Sequence, residues 1–409
     1  MKRLIGWRAL AVLAIVLAAT FAMGAVALAV EVTDIGSNGS TITVTSMFGQ
    51  NQIQTAIQVS KAGFPNNGHP ADAVVLATAY TWPDALSAAS MAGILDAPIL
   101  LVGHDIAPAS ELAVEINRLH AGADKAGREF MIYIVGGPVA VPKPVEDWCV
   151  GAMGSAANVK RVWGPTLYDT SQAILSEDIT LRGGPEHNFW NVFVCTGKLF
   201  PDALSASPMS YATNWHHANG DGPGKDVWPI ILAENGSFSG GLSQRVFTQL
   251  QAATKNHFVN VVVVGGTSVV SAAAAEAIRT SLTTGSKVYR WWGDDAYATA
   301  VSVAEHSVNG FDYDDFADDP TYDGWFNADD SGLANGQVFA DALVASSYQG
   351  MAFAPLLTTP SSNLNHSAQV WFQKYGQHGT EDIDSVNIYG GKVVIPQMVR
   401  DELIWSLTH

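Results

Sequence analysis

Three aspartates occupy the same place in a repeated motif. Asp84 lies in TWPDAL, Asp202 in LFPDAL and Asp341 in VFADAL. A carboxylate that follows a strand and begins a helix accepts hydrogen bonds from free backbone N–H groups. The same carboxylate could accept hydrogen bonds from sugar hydroxyls, because parallel sheets bind ligands beyond the carboxyl ends of their strands. It could also act as an acid or base, provided that a second carboxylate lies within reach.

Glycine pairs recur with the same period as the aspartates. They end three apolar runs and are Gly136-Gly137, Gly265-Gly266 and Gly390-Gly391. Pro142, Ser271 and Pro396 follow them at similar offsets, as residues at helix starts do. This pattern predicts a tight turn before a helix, although the N–H groups of such a turn would also suit a phosphate.

Prolines and arginines complete the set of recurring candidates. Apolar strands begin at Pro98, Pro229 and Pro355 and are predicted to lie in the core. Arg161 and Arg290 are candidates for anion contact, because arginine binds phosphate or carboxylate bidentately. A salt bridge between modules is the alternative role for these two arginines.

The period of these motifs predicts the fold. Each unit begins with a glycine followed six residues later by a threonine, at Gly49, Gly164 and Gly293. Short β-branched runs alternate with alanine-rich segments of helical spacing, which is typical of a parallel α/β layer. We therefore predict three tandem parallel-sheet α/β modules, over residues 30–163, 164–292 and 293–409.

The two ends of the chain predict how the modules close. The first two units end in the short strands NVKRVWG and KVYRWWG, whereas the third stops after a helix. An unpartnered strand, TITVTSMFG, precedes the first unit at residues 41–49. We expect this N-terminal strand to complete the third module, which would make the three modules a pseudo-threefold ring.

Charge and composition exclude some classes of partner. The formal net charge is −17 over 409 residues, and the chain has no dense Lys/Arg cluster. Nucleic acid is therefore not an expected partner, and neither is an anionic membrane. Residues 1–29 carry Lys2, Arg3 and Arg8 before an apolar run and end in ALA, which predicts a secretory signal peptide. An uncleaved N-terminal anchor is the alternative.

The remaining residues favour neither metal nor covalent chemistry. Cys149 and Cys195 fall in different units, and Cys195 replaces alanine in the repeat, so a buried thiol is favoured over a disulfide. The aspartates from Asp312 to Asp330 lack the regular spacing of a calcium loop, which favours a solvated acidic loop. No Gly-x-Ser-x-Gly, His-Glu-x-x-His or Gly-x-Gly-x-x-Gly motif occurs. We predict no cofactor, no metal and no catalysis.

Taken in order, the glycine and Thr-Ala start, the F/W-x-D-A-L motif, the P-I-L-L strand and the V-G-G end resemble the cell-wall-binding type 2 repeat. This repeat occurs in tandem threes in surface-layer and other wall-anchored proteins of Gram-positive bacteria. The resemblance covers residues 41–409. It implies three α/β modules about a pseudo-threefold axis, and non-covalent attachment to an anionic secondary polysaccharide of the wall.

The sequence departs from the family pattern at its arginines. The first family arginine is present as Arg161 and Arg290, but Ser46 takes its place before the first unit. The second family arginine is replaced in all three units, by Gln52, Leu167 and Ala296. An exported cell-wall-binding protein is the prediction. An adhesive or structural surface protein that meets other proteins, and a glycan-active hydrolase, are the alternatives.

Overall fold

The computed structural model describes residues 31–37, 40–184, 191–212, 228–233, 260–281, 287–310, 326–376 and 383–409. The predicted signal peptide lies outside these residues, as does most of the predicted acidic loop. Asp330, the last member of the predicted acidic loop, instead begins a strand and accepts a hydrogen bond from the Ser385 hydroxyl.

Short strands form at the apolar runs, as predicted, because β-branched residues fit a buried pleated sheet. The strands of the described residues are β1 (Glu31–Ser37), β2 (Ser40–Met47), β3 (Ala73–Thr78), β4 (Ile99–Val102), β5 (Met131–Val135), β6 (Val159–Val162), β7 (Asn191–Thr196), β8 (Ile230–Ala233), β9 (Asn260–Val264), β10 (Lys287–Trp291), β11 (Asp330–Asn335), β12 (Leu356–Thr359) and β13 (Ser385–Tyr389). Every residue of β3, β4, β7, β8 and β12 is buried, as expected for strands covered on both faces.

Helices connect these strands. Those of the described residues are α1 (Gln52–Gly63), α2 (Ala88–Ile94), α3 (Glu111–Lys125), α4 (Lys143–Met153), α5 (Leu167–Leu181), α6 (Pro201–Tyr211), α7 (Ala272–Ser281), α8 (Ala296–Asn309), α9 (Phe339–Met351), α10 (His366–Tyr375) and α11 (Gln397–Thr408). None of the helices in the described residues is both long and apolar enough to cross a membrane.

The three sheets share one strand order. The first sheet runs β4-β3-β5-β6 and the second runs β8-β7-β9-β10. The third runs β12-β11-β13-β2, so that β2 holds the place of β6 and β10. All of these pairs are parallel, which confirms the predicted α/β class.

The N-terminal strand completes the third sheet, as predicted. β2 pairs in parallel with β13, and Val44 lies opposite Val386 in the register. β1, which the sequence analysis did not predict, adds a fifth strand antiparallel to β2. One sheet therefore contains both β2, from the first repeat's side of the sequence, and β13 of the third repeat.

Helices of different repeats pack on one another in a regular order. The first helix of each repeat contacts, in another repeat, the helix that contains or follows the recurring aspartate: α1 contacts α9, α5 contacts α2, and α8 contacts α6. In addition, α2, α6 and α9 contact one another. The apolar core extends across these contacts, since one cluster of buried side chains includes residues of all three repeats.

The two cysteines are free and buried, as the sequence analysis favoured. Burial raises the pKa of the Cys149 thiol to about 12 and that of Cys195 well above its ordinary value. Both thiols are therefore protonated and unreactive at neutral pH.

Candidate functional site

The aspartates and the glycine pairs, predicted separately, meet at the carboxyl ends of the central strands. A Cβ atom added to Gly265 would stand 2.4 Å from Asp202 Oδ2, and one added to Gly390 would stand 2.7 Å from Asp341 Oδ2. The corresponding distance from Gly136 to Asp84 Oδ2 is 3.0 Å. The first glycine of each pair thus leaves room for a carboxyl group. The backbone at Gly136, Gly265 and Gly390 also has φ between +107° and +111°, which favours glycine.

Threonines from neighbouring repeats reach two of these carboxyl groups. The Thr170 hydroxyl, in the second repeat, hydrogen-bonds to Asp84 of the first. The Thr55 hydroxyl, in the first repeat, hydrogen-bonds to Asp341 of the third. Each threonine Oγ1 also accepts a hydrogen bond from a backbone N–H, at 3.1 Å from Gly164 N and from Gly49 N respectively. The threonines that mark the repeat starts therefore link adjacent repeats.

The third threonine differs in its described partners. Thr299 Oγ1 accepts a hydrogen bond from Gly293 N at 3.1 Å, like the other two, and donates to the Asp295 carbonyl at 3.0 Å. Asp202, the aspartate of the second repeat, is 6% exposed. Its helix contacts α8, the helix that carries Thr299.

Burial dominates the electrostatics of the aspartates. It raises the pKa of Asp202 and of Asp341 to about 6, because a charged carboxylate loses its hydration in the interior. Burial also raises the pKa of Asp84, while hydrogen bonds from Thr170 and the Gly137 N–H oppose the rise. Asp202 and Asp341 lie in the first turn of their helices and Asp84 precedes its helix, and none of the three is an N-cap residue.

The residues that follow the glycine pairs begin helices, as predicted. Pro142 and Pro396 are the N-cap residues of α4 and α11. The Ser271 hydroxyl accepts a hydrogen bond from Ala274 N at 3.1 Å, in the manner of an N-cap. The strand, glycine turn and helix start form one unit in each repeat.

The two candidate arginines donate hydrogen bonds to residues of their own repeats. Arg161 Nη1 donates to the Gly136 carbonyl at 2.8 Å and to the Val141 carbonyl at 3.0 Å. Its Nε and Nη2 donate to Glu146 Oε2 at 3.1 and 3.0 Å. Arg290 Nη1 donates to the Gly265 carbonyl at 2.6 Å, and burial lowers its pKa. The salt bridge of Arg161 is thus within a module rather than between modules.

A third arginine with the same function was missed by the sequence analysis. Arg400 is 4% exposed and donates to the Gly390 carbonyl and the Ile395 carbonyl, both at 2.9 Å. Its Nη1 also donates to Ser46 Oγ. Arg400 stands ten residues after Gly390, just as Glu146 stands ten after Gly136. In the first repeat the arginine lies on the strand and its side-chain partner Glu146 lies on the helix. In the third repeat the arginine lies on the helix and its partner Ser46 lies on the strand. The serine at a position where the family has arginine was the sequence signal for this exchange.

The prolines lie away from the aspartates. The carbonyls of Pro98, Pro229 and Pro355 accept hydrogen bonds from neighbouring strands at 3.0, 3.0 and 2.8 Å. All three prolines are buried and directly precede β4, β8 and β12, at the amino ends of these strands. A four-residue strand spans about 13 Å, so the prolines are separated from the aspartate end of the sheets.

The carboxyl ends of β3 and β4 border a cleft of about 360 Å³. Its lining residues are Asn51, Ile53, Gln54, Ile57, Tyr80, Gly103, His104, Asp105, Ala107, Ser110, Glu111 and Leu112. The Tyr80 ring is 54% exposed and lies against the His104 ring, with the centroids 4.9 Å apart. An exposed aromatic ring among amide, hydroxyl and carboxylate groups suits a polar ligand with an apolar face, such as a sugar.

A larger cleft, of about 640 Å³, lies between α10 and α11. Met398, Asp401, Glu402 and Trp405 are among its lining residues. The lining of neither cleft includes the recurring residues, but the smaller cleft adjoins the strand ends where parallel sheets bind ligands. We therefore regard the smaller cleft as the better candidate.

Comparison with known proteins agrees with this architecture. The family model for cell wall binding domain 2 matches the chain three times, at residues 47–146, 161–275 and 290–400. The chain therefore belongs to the cell wall binding domain 2 family. No curated protein matches it.

Two similar solved structures share its fold. Cwp6 from Clostridium difficile superposes with a TM-score of 0.67 at 19% identity, over 96% of this chain and 51% of that one. Cwp8 from the same organism gives 0.66 at 22% identity, over 89% of this chain and 52% of that one. The chain thus spans about half the length of each.

Proposed function

We propose that this protein attaches non-covalently to a polysaccharide of the cell wall through its three repeats and performs no catalysis. The observation that carries the proposal is the threefold recurrence of one arrangement, an aspartate against a glycine turn at the strand ends, in a chain of this family. Three similar sites in one chain favour binding to a repetitive polymer, because weak contacts add avidity.

The state of the aspartates supports binding over glycan hydrolysis. A glycosidase needs a pair of carboxyl groups about 5 to 9.5 Å apart. Burial is the largest cause of each raised pKa, and within the described part of the chain no neighbouring carboxylate raises the pKa of Asp84, Asp202 or Asp341. The aspartates instead hold the repeats and the glycine turns in place, and the polymer binds to the adjoining cleft and turn surfaces.

The proposed ligand is an anionic secondary polymer, as the family resemblance implies. Arg161 and Arg290 contribute to such a site only indirectly, because their donors bind backbone carbonyls and Glu146. Recognition would therefore rely on neutral hydroxyl and ring contacts, with the peptide N–H groups of the turns nearest to any phosphate.

Sedimentation with isolated cell walls tests the proposal. Protein beginning at residue 30 is mixed with walls before and after hydrofluoric acid removes phosphodiester-linked polymers. We expect the protein to sediment with untreated walls and to remain in solution with stripped walls. Equal binding to both preparations would refute the anionic polymer as ligand. No binding to either preparation would refute attachment to the wall polysaccharide.

A further inference from the structure

An aromatic residue follows the fourth strand of the order that the three sheets share. Trp163 follows β6, Trp292 follows β10, and Phe48 follows β2, which completes the third sheet. Trp163 is 44% exposed and Trp292 is 52% exposed. Large apolar side chains exposed at equivalent places in a repeat are typical of an interaction surface rather than of a core.

Each of these rings lies against the second glycine of a pair. A Cβ atom added to Gly137 would stand 2.7 Å from Trp163 Cε3, and one added to Gly391 would stand 3.3 Å from Phe48 Cδ2. The distance from Gly266 to Trp292 Cε3 is 3.7 Å. Because glycine has no side chain, the aromatic ring packs directly on the backbone of the turn. Much of the ring remains exposed to solvent in Trp163 and Trp292.

The surroundings of the rings are apolar at the tip of the turn. Val139 is 95% exposed and Val393 is 92% exposed, and each lies two residues after the second glycine of its pair. In the first and third repeats an exposed valine therefore adds apolar surface close to the ring. The turn of the second repeat carries Ser268 at this place.

Charge indicates which ligand such a surface would take. The arginine beside each turn donates to the carbonyl of its first glycine, at Gly136, Gly265 and Gly390. These cations are thus directed into the fold, and the chain as a whole carries a net charge of −17. An uncharged sugar unit of the polymer, with a flat apolar face, fits an exposed aromatic ring better than the anionic groups of the polymer do. The C–H face of a pyranose ring has this character.

We propose that Trp163 and Trp292 are stacking platforms for sugar rings of the wall polysaccharide, and that Phe48 is the corresponding platform of the third repeat. This inference rests on the proposed wall-binding function and names the ring contacts that it uses. Platforms repeated on one chain would hold separate sugars of the same polymer, so that their contributions reinforce one another.

The test compares tryptophan variants of the protein in wall sedimentation. Trp163→Ala and Trp292→Ala are each expected to weaken apparent wall affinity about tenfold, and the double variant more than either. Trp163→Phe and Trp292→Phe keep an aromatic face and should retain most of the affinity. Trp405→Ala is the matched control, because Trp405 is 48% exposed but lines the cleft between α10 and α11. Thermal unfolding of each variant verifies its fold.

The outcomes separate this inference from the proposed function. If the unchanged protein binds walls and the folded double variant binds equally well, the platforms are refuted and wall binding stands. Loss of binding in Trp405→Ala equal to that in the double variant would also refute them. If the unchanged protein does not bind walls, the proposed function fails and the inference fails with it.

Discussion

At the scale of single residues, burial of the Asp202 carboxyl group makes the stability of the protein depend on pH. It is 6% exposed, and burial raises its pKa to about 6 from an ordinary 3.8. Between pH 4 and 6 the folded chain therefore binds a proton that the unfolded chain has released. Stability from this group is present below pH 4 and is lost as the pH rises through 6, by an amount on the order of 3 kcal/mol.

Asp202→Asn should remove that pH dependence, because asparagine is neutral throughout. The free energy of unfolding of the variant, minus that of the unchanged protein, should rise between pH 4 and 6 and then level off. Denaturant unfolding at several pH values measures this difference. A difference that stays constant with pH would contradict the raised pKa of Asp202.

Thr55 is one of the residues that link the first repeat to the third. Its hydroxyl accepts from Gly49 N and donates to the buried Asp341 carboxyl. Thr55→Val should lower the free energy of unfolding by about 1 to 3 kcal/mol, because it leaves buried polar groups without a partner.

The matched control for Thr55 is Ser176→Ala on α5, whose hydroxyl makes an exposed bond to the Gln172 carbonyl. That change should alter stability by about 0.5 kcal/mol or less. A double-mutant cycle with Asp341→Asn should give a coupling energy clearly different from zero. Strict additivity of the two changes would contradict a direct link between Thr55 and Asp341.

At the scale of elements, the glycine turn is the unit that positions the aspartate. Gly390 has a φ of +111°, and a Cβ atom there would meet Asp341 Oδ2 at 2.7 Å and Val394 Cγ2 at 2.6 Å. Gly127 has a φ of +71° with no atom within 4 Å of its Cβ position. The two glycines thus share a left-handed backbone but differ in the space around them.

Gly390→Ala should therefore destabilise the protein more than Gly127→Ala does. Both variants carry the cost of a left-handed alanine, roughly 1 kcal/mol, and only Gly390→Ala adds a steric clash. Thermal unfolding compares the two. Equal losses in melting temperature would show that the contact between the turn and Asp341 contributes nothing.

Much of this element pattern could be predicted from the sequence. The continuous apolar runs gave buried parallel strands, and the missing last strand of the third unit placed β2 beside β13. β1 was not predicted, because EVTDIGS has few apolar residues and no clear alternation. The links from Thr55 to Asp341 and from Thr170 to Asp84 were not predicted either. They join residues far apart in sequence, and neither motif alone indicates which repeat it will meet.

The arginines show why the site was harder to predict than the fold. The sequence analysis identified Arg161 and Arg290 as candidates for anion contact or for a salt bridge between modules. It did not indicate that backbone carbonyls and Glu146 would bind their donors. Arg400 performs the same function from a helix instead of a strand, with Ser46 opposite it. An exchange of this kind preserves the contact while removing the sequence pattern that would reveal it.

At the scale of the whole molecule, the contacts between repeats suggest how the modules are arranged. We infer a closed pseudo-threefold arrangement from the order in which α1, α5 and α8 contact helices of other repeats, namely α9, α2 and α6. The middle of this arrangement would be α2, α6 and α9. A Cβ atom on Gly93 of α2 would stand 2.1 Å from the Tyr211 carbonyl oxygen of α6.

Gly93→Ala should therefore separate the first two repeats and lower stability by about 2 kcal/mol or more, since a buried backbone contact has little room to adjust. Gly151→Ala is the control, because nothing lies within 4 Å of its Cβ position in α4. This second change should be neutral or slightly stabilising, as alanine is the better helix former. Equal melting temperatures for the two variants would contradict close packing between α2 and α6.

Competition with released wall polymer tests the central claim, binding to the wall through a polysaccharide, most directly. Walls are digested with protease to remove surface proteins, and the protein is bound to them with increasing amounts of the polysaccharide that hydrofluoric acid releases. We predict that binding survives the protease and falls progressively as the free polysaccharide is added. Binding that is lost with the wall proteins and is unaffected by the polysaccharide would contradict the account and favour a protein partner.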